Sequence, residues 1–430
     1  MKNYIIYLLT LFLVSPIFLG AETLEEKVER LEKTVEELQQ SREKNSKNFS
    51  LDIEDLEERL DTVETRSYTD KIQFGVGMRV ERNSFSNNYA DGSSFDANEV
   101  WRTKLNLNMR SQVADNLKFT GRLSMYKNWG DSTPRIVHND AAQGRKPDNS
   151  QLYVERAYVD WTVNQDDKLP FILTLGRQPS SDGPSYHIKE DTKRKGTYDA
   201  LAFDGAVDGL VLTTKLHHYL AGTTFRLAYG TPNVKDNAAK SSTQSNYSGW
   251  DDSGNYEDMK VTGIFIDKKF NVPYNNLLQV YKVHAKNLNA DVEYDTNTST
   301  PDTDDINIGD LHIIGAMIEF TKINSNIDLF FHYAKSTVKP NGKYITVDGE
   351  IFGLLSGAND TTSKNGDALW LGGKYAISKE YNIGMEYNKG SKNWFSFTSG
   401  ANDPLNKLAT RGDATEIYFS KAINKYANIR

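Results

Sequence analysis

From residue 71 onward, apolar and polar side chains alternate with a period of two, and the alternating segments are joined in strict turn by short and long connections. Ile72, Phe74, Val76, Met78 and Val80 interleave with Gln73, Gly75, Gly77 and Arg79. Trp101, Thr103, Leu105, Leu107 and Met109 interleave with Arg102, Lys104, Asn106, Asn108 and Arg110. In a strand such sets face opposite sides. The short connections fall at residues 114–116, 164–168, 218–222, 271–275, 323–324, 378–380 and 423–426. The long ones, rich in Asp, Asn, Ser and Gly, fall at 83–97, 129–150, 179–205, 231–256, 288–306, 339–366 and 391–411. A β-sandwich mixes lengths at both ends, whereas tight turns on one side and long loops on the other are the arrangement of an outer-membrane barrel. Seven connections of each kind imply fifteen strands, and even counts are the rule. The pattern therefore predicts an all-β transmembrane barrel of about sixteen antiparallel strands over residues 67–430.

Near the end, Ser420 to Ile429 echoes the internal hairpin Tyr375 to Ile383, but the sequence stops where the hairpin's second strand begins. An open barrel leaves unsatisfied backbone groups in lipid. The expectation is a chain lacking its last one or two strands, on the order of 30–50 residues at ~10 residues per strand plus a loop.

The N-terminal region reads differently. Lys2, an apolar run from Tyr4 to Val14 and Leu19-Gly20-Ala21 form a secretory signal over residues 1–21. Leu24, Val28, Leu31, Val35 and Leu38 then mark a heptad with Val at a and Leu at d. The seam lapses around Ser41 to Asn45 and resumes, shifted as by a stutter, at Phe49, Ile53, Leu56, Leu60 and Val63. Residues 22–66 are thus expected to be a periplasmic α-helical coiled coil, with a helix lying on the barrel mouth as the alternative. They carry fifteen acidic and eight basic side chains, a net of −7 that equals the charge of the whole chain. The rest is nearly balanced, without the basic patch that nucleic acid requires. Mean hydropathy is −0.61, and after residue 20 no apolar run is long enough for a membrane helix. Cysteine is absent, which excludes disulfides and thiolate metal sites. Tyr126, Trp129, Tyr153, Trp161, Tyr229, Trp370, Tyr387 and Tyr418 fall near expected strand ends, where aromatic girdles belong.

Arg156-Ala157-Tyr158-Val159 and Leu175-Gly176-Arg177-Gln178 resemble the hairpin that precedes the third loop in the general porins of Gram-negative bacteria. Residues 176–184, Gly-Arg-Gln-Pro-Ser-Ser-Asp-Gly-Pro, with a helix ahead of the barrel, are similar to porin-like outer-membrane proteins of epsilon-proteobacteria, a family of unknown function. The resemblance implies an outer-membrane location and a third loop, here 179–205, that folds into the pore. It also implies trimers, whereas Val at a and Leu at d favour a dimer. A homo-oligomer is expected either way, in outer-membrane lipid, with peptidoglycan as a further partner for the coil.

Within 179–205, Asp182, His187, Lys189, Glu190, Asp191, Lys193, Arg194 and Lys195 are constriction candidates, with Arg177 at its edge. The inward faces of the preceding strands add Arg102, Lys104, Arg110, Lys118, Arg122 and Arg156, a basic ladder that biases a pore toward anions unless loop acids neutralise it. His217-His218 are read as opposite faces of a strand, unable to chelate together. Asp295, Asp302, Asp304 and Asp305 offer hard oxygens for Ca²⁺ but lack EF-hand spacing, so no metal is expected. No cofactor or catalytic motif is present. The expected function is passive diffusion of small hydrophilic solutes or ions, not catalysis. The alternatives are an outer-membrane enzyme of phospholipase type using Ser, His and Asn, and an envelope tether or adhesin.

Overall fold

The computed structural model describes residues 28–30, 32–40, 72–88, 92–130, 152–164, 168–194, 196–233, 258–270, 275–290, 306–347, 350–398, 406–424 and 426–430. The chain divides into two units, Met1–Lys71 and Ile72–Arg430. In the first, residues 28–30 and 32–40 are helical, and the heptad residues Val28, Val35 and Leu38 are exposed. The signal segment and the resumed seam at 49–63 lie outside the described residues.

The second unit is dominated by one fifteen-stranded sheet, each strand antiparallel to the next. Its members are β1 (Gln73–Asn88), β2 (Ser94–Ala114), β3 (Leu117–Asn128), β4 (Tyr153–Asn164), β5 (Phe171–Arg177), β7 (Asp208–Lys215), β8 (Thr223–Asn233) and β9 (Met259–Phe270), followed by β10 (Asn275–Ala290), β11 (Ile306–Ile323), β12 (Ile327–Pro340), β15 (Lys364–Ala376), β16 (Tyr381–Gly390), β18 (Asp413–Asn424) and β19 (Ala427–Ile429). The fifteen strands inferred from the connections are therefore present. The other four lie in long connections: β13 (Tyr344–Val347) and β14 (Glu350–Gly353) form a small hairpin, while β6 (Phe203–Asp204) and β17 (Phe397–Thr398) pair in parallel. Among the described residues, β1 and β19 share no ladder, so the sheet is not closed.

The polarity of this sheet is the reverse of that in a water-soluble β-protein. On β16, Ile383 and Met385 are exposed while Asn382, Glu386 and Asn388 are buried. On β12, Leu329, Phe331 and Tyr333 are exposed while His332 and Ser336 have no exposure. Arg102 and Lys104 on β2 are buried, as are Arg122 on β3 and Arg156 on β4. In water, each large apolar side chain left outside forgoes about 1.5–3 kcal/mol.

The sheet curls around the connection between β5 and β7. This connection carries a short helix, α1 (Tyr186–Glu190). Its Glu190 meets Arg79 on β1 at 2.9 Å, and Lys189 beside it meets Glu416 on β18 at 2.5 Å. β18 is the fourteenth strand in the order. Were the sheet flat, β1 and β18 would stand about 60 Å apart at the usual inter-strand spacing. Neighbouring residues of one short helix touch both only because the sheet has rolled up.

The inward face has two sectors. On β1 to β4 it is charged. From β7 to β15 it is largely apolar: Val211, Phe265, Tyr281, Val283, Leu311, Ile313, Phe330 and Trp370 are buried against Tyr186, Ile188, Leu201 and Phe203 of the β5–β7 connection.

Candidate functional site

Residues 178–194 and 196–207 cross the interior, with one side of this connection apolar and the other polar, matching the two sectors of the wall. Gly183 is required where the segment doubles back, since a Cβ there would collide with the Tyr198 carbonyl oxygen. Beside it, Asp182 adopts a left-handed φ of 57°, and its backbone N–H donates to Asp204 Oδ1 at 2.9 Å.

On the charged side, Asp182 and Glu155 sit among the strand cations. Arg122 lies 3.1 Å from each of these carboxylates. Arg156 is 2.9 Å from Glu155 and 3.9 Å from Asp182, and it donates to Ser181 Oγ at 2.7 Å. Lys104 stands 4.0 Å from Asp182 and over the Tyr126 ring, and Arg102 is bound to Glu81 at 2.8 Å. The basic ladder is thus mostly neutralised. Glu155 escapes strict alternation, which would direct it outward with Val163 and Trp161. The β3–β4 register slips between the Arg122↔Arg156 and Leu123↔Val154 pairs, and that bulge turns Glu155 and Arg156 inward together. Both are buried.

Three ion pairs hold the far end of the segment: Lys189 with Glu416, Glu190 with Arg79, and Asp191 with Lys374 at 2.7 Å. Burial, and after it the neighbouring Lys407, push the Lys189 ammonium below its ordinary range. Deeper in, Ser185 Oγ donates to Glu319 Oε1 at 2.6 Å and lies 2.9 Å from His332 Nε2, while His332 Nδ1 donates to Asp199 Oδ2 at 2.8 Å. The order of Ser, His and Asp has the look of a hydrolytic triad. Its serine hydroxyl is aimed at Glu319, however, and Ser185 and His332 have no exposure. The chain acts as a clamp between the segment and β11–β12. His187 stands 3.8 Å from Glu319. Burial, with Arg194 adding to it, pushes the His187 imidazole down against the opposing pull of Glu319.

The described residues of a second connection also turn inward, which the sequence pattern does not anticipate. Between β16 and β18, Trp394 and Leu408 are fully buried, and Trp394 Nε1 donates to the Leu408 carbonyl at 2.9 Å. Lys407 lies 2.6 Å from Glu386 and also pairs with Glu416, the partner of Lys189. Phe397 and Thr398 lie beside Phe203 and Asp204 in the β6–β17 pair, joining the two inward connections.

Other candidate residues lie elsewhere. Arg177 is outside this cluster. It is paired across the ladder with Ala157 and Asp208, away from inward Arg156. There it grips exposed Asp208 at 2.9 and 2.7 Å and the Val154 carbonyl at 2.9 Å. Arg110 and Lys118 are exposed near the short turn between β2 and β3. Lys118 lines a cavity of about 410 Å³ with Asp160, Thr174, Tyr198 and Arg226, beneath the inward segment. Lys193 is exposed, and Arg194 stands 4.0 Å from Asp267. Lys195 and the Asp295–Asp305 cluster lie outside the described residues. His217 and His218 occupy an exposed turn after β7, not a strand. Of the aromatics expected at a girdle, Tyr126, Trp370 and Tyr418 are buried inward, whereas Trp129, Trp161 and Tyr229 are exposed. Among the described residues, no group of three His, Asp or Glu is placed to hold a metal.

A rolled antiparallel sheet that hides charge and displays hydrocarbon is a barrel-type wall, inverted relative to soluble β-proteins. The chain belongs to a family described as "Protein of unknown function (DUF3373)", which it matches over residues 95–430. No curated protein matches it in sequence. Solved structures similar to it include Salmonella typhi OmpF in complex with daunomycin, at 12% identity over 82% of this chain and 86% of that one, with a TM-score of 0.43. Another is OmpT, an outer-membrane-expressed protein of Vibrio cholerae, at 13% identity over 83% and 84%, with a TM-score of 0.42.

Proposed function

We propose that this protein is an outer-membrane β-barrel channel for small hydrophilic solutes or ions, with residues 179–205 narrowing the passage. The observation that carries the reading is the sheet's polarity: Ile383, Met385, Phe331 and Tyr333 outward, Arg102, Arg122, Arg156 and Glu386 inward. Lipid stabilises the first set, and the paired charges of the interior stabilise the second. With most of the basic ladder paired, net preference between anions and cations falls to side chains without such partners, foremost exposed Lys193. The N-terminal heptads supply a periplasmic coiled coil that joins copies of the chain and offers a surface to peptidoglycan. The protein inserted into planar bilayers from detergent should give discrete steps of small conductance. Insertion without steps under any voltage or salt gradient would overturn the channel.

An enzymatic reading draws on the Ser185–His332–Asp199 alignment. Complete burial and the Ser185–Glu319 bond disfavour it. Hydrolysis of phospholipid or p-nitrophenyl esters that is abolished by Ser185→Ala would reverse that preference.

A further inference from the structure

On the outward face, at the edge where the long connections leave the sheet, β9 to β12 carry a cationic patch that no ion pair accounts for. Lys282, His284 and Lys286 follow one another along one face of β10. Lys260 on β9 lies directly opposite Lys286, and His284 opposite His312 on β11. On β12, Thr337 faces His312, flanked on the same face by Lys335 and Lys339. All five lysines are exposed, and among the described residues none makes an ion pair. The imidazoles of His284 and His312 stack at 4.0 Å, inclined by only 9°, so their lone pairs run parallel and do not converge on a metal.

Among the described residues, acid beside the lysines of β9 to β11 is limited to Asp258, two positions before Lys260, and Asp310. Asp310 lies opposite Lys339, but its carboxylate accepts the Asn287 backbone N–H at 3.0 Å, which fixes a bulge in β10. Further round the same edge the charges balance, with Lys335 opposite Asp367 and Lys389 opposite Asp413. Like charges facing each other across a ladder, as Lys260 and Lys286 do, are destabilising without an anion between them. Immediately below the patch the same strands expose Ile264, Ile266, Val280, Leu278, Ile314, Phe331 and Tyr333.

We infer that this surface binds a phosphate-bearing lipid of the surrounding leaflet, its phosphates among Lys260, Lys282, Lys286 and Lys339 and its acyl chains on the apolar strip beneath. The inference rests on the membrane reading above. Strand spacing fits it: two steps along a strand and three across the sheet give a patch of about 14 by 14 Å, room for a headgroup carrying two phosphates. Lysines near a membrane surface attract anionic headgroups individually, and clustering within one headgroup's reach makes the attraction site-specific.

The test compares the full chain with the triple variant Lys282→Gln, Lys286→Gln, Lys339→Gln, whose exposed side chains support no packing. Both are inserted into phosphatidylcholine vesicles doped with diphosphorylated lipid A, or with its dephosphorylated form. Retained lipid is measured by native mass spectrometry after detergent extraction. Wild type should retain the diphosphorylated lipid, the triple variant should need about tenfold more or greater, and neither should retain the dephosphorylated one. Equal retention of both forms, or retention unchanged by the substitutions, would overturn the site while leaving the barrel standing. Failure of wild type to insert into any vesicle would overturn the membrane reading and the site with it.

Discussion

Asp182→Asn is the sharpest probe of how the inward segment is held. Asp182 is 5% exposed and stands 3.1 Å from Arg122, 3.9 Å from Arg156 and 4.0 Å from Lys104. Removing one partner of a buried ion pair costs about 3–5 kcal/mol, since the remaining charge is stranded. The lower end applies here: Arg122 and Arg156 both keep Glu155, at 3.1 and 2.9 Å, so Lys104 loses most. The penalty falls on the docked segment and not on the strand ladders, so it appears as local opening. About 3 kcal/mol corresponds to a rise of roughly a hundredfold in the open population. Because the chain has no cysteine, Ala200→Cys supplies a single reporter at a site with no exposure. Maleimide labelling of that thiol should be slow in the parent and about a hundredfold faster with Asp182→Asn, while heat-modifiable mobility of the barrel stays unchanged. Equal labelling rates would refute the claim that this charge cluster holds the segment.

Three further outcomes follow from the same geometry. Arg177→Gln should leave the reversal potential in a salt gradient unchanged, because Arg177 is held by Asp208 outside the inward cluster, whereas Lys193→Gln should shift it toward cations; the reverse pattern would return Arg177 to the passage. The His187 imidazole is pushed down chiefly by burial, so its neutral form contributes stability above its unfolded value near pH 6.5 that is lost as pH falls toward the lower folded value. Cysteine labelling at position 200, normalised at each pH to an unfolded control that corrects for the falling thiolate fraction, should therefore accelerate below about pH 6, and a His187→Gln variant should lose that step. Gly183→Val puts a side chain against the Tyr198 carbonyl and should release the segment, seen as larger and noisier conductance steps with the β-sheet circular dichroism retained.

Much of the wall was legible in the residues. Alternation around Trp101 and Arg102 assigned the faces of β2, and the turn lengths yielded the strand number. What period-two reasoning lost was local. It had no provision for the bulge at Glu155, although a carboxylate directed into an apolar belt is itself a sign that alternation has slipped. Arg177 shares the parity of exposed Leu175, so alternation alone turns it from inward Arg156 despite its place next to the β5–β7 connection. The connection at 391–411 counts among the long polar ones by its Ser and Asn, yet Trp394, Phe395, Phe397 and Leu408 give it an apolar content that seeks burial. The clamp through Ser185, His332 and Asp199 joins residues more than a hundred positions apart, and no local pattern announces it.

The apolar sector of the interior makes its strands greasy on both sides. In β11, Leu311, Ile313, Ile314, Ala316, Met317 and Ile318 leave almost no polar interval. In the membrane reading proposed above, lipid and the inward segment cover those two surfaces only at the end of assembly. A chain still waiting unfolded in water presents this run uncovered, high in β-propensity and low in charge, the kind of stretch that pairs with its own copies. The docked segment that shapes the interior thus exacts a toll before the sheet exists, because it makes β11 a strand that must be kept covered until the wall forms.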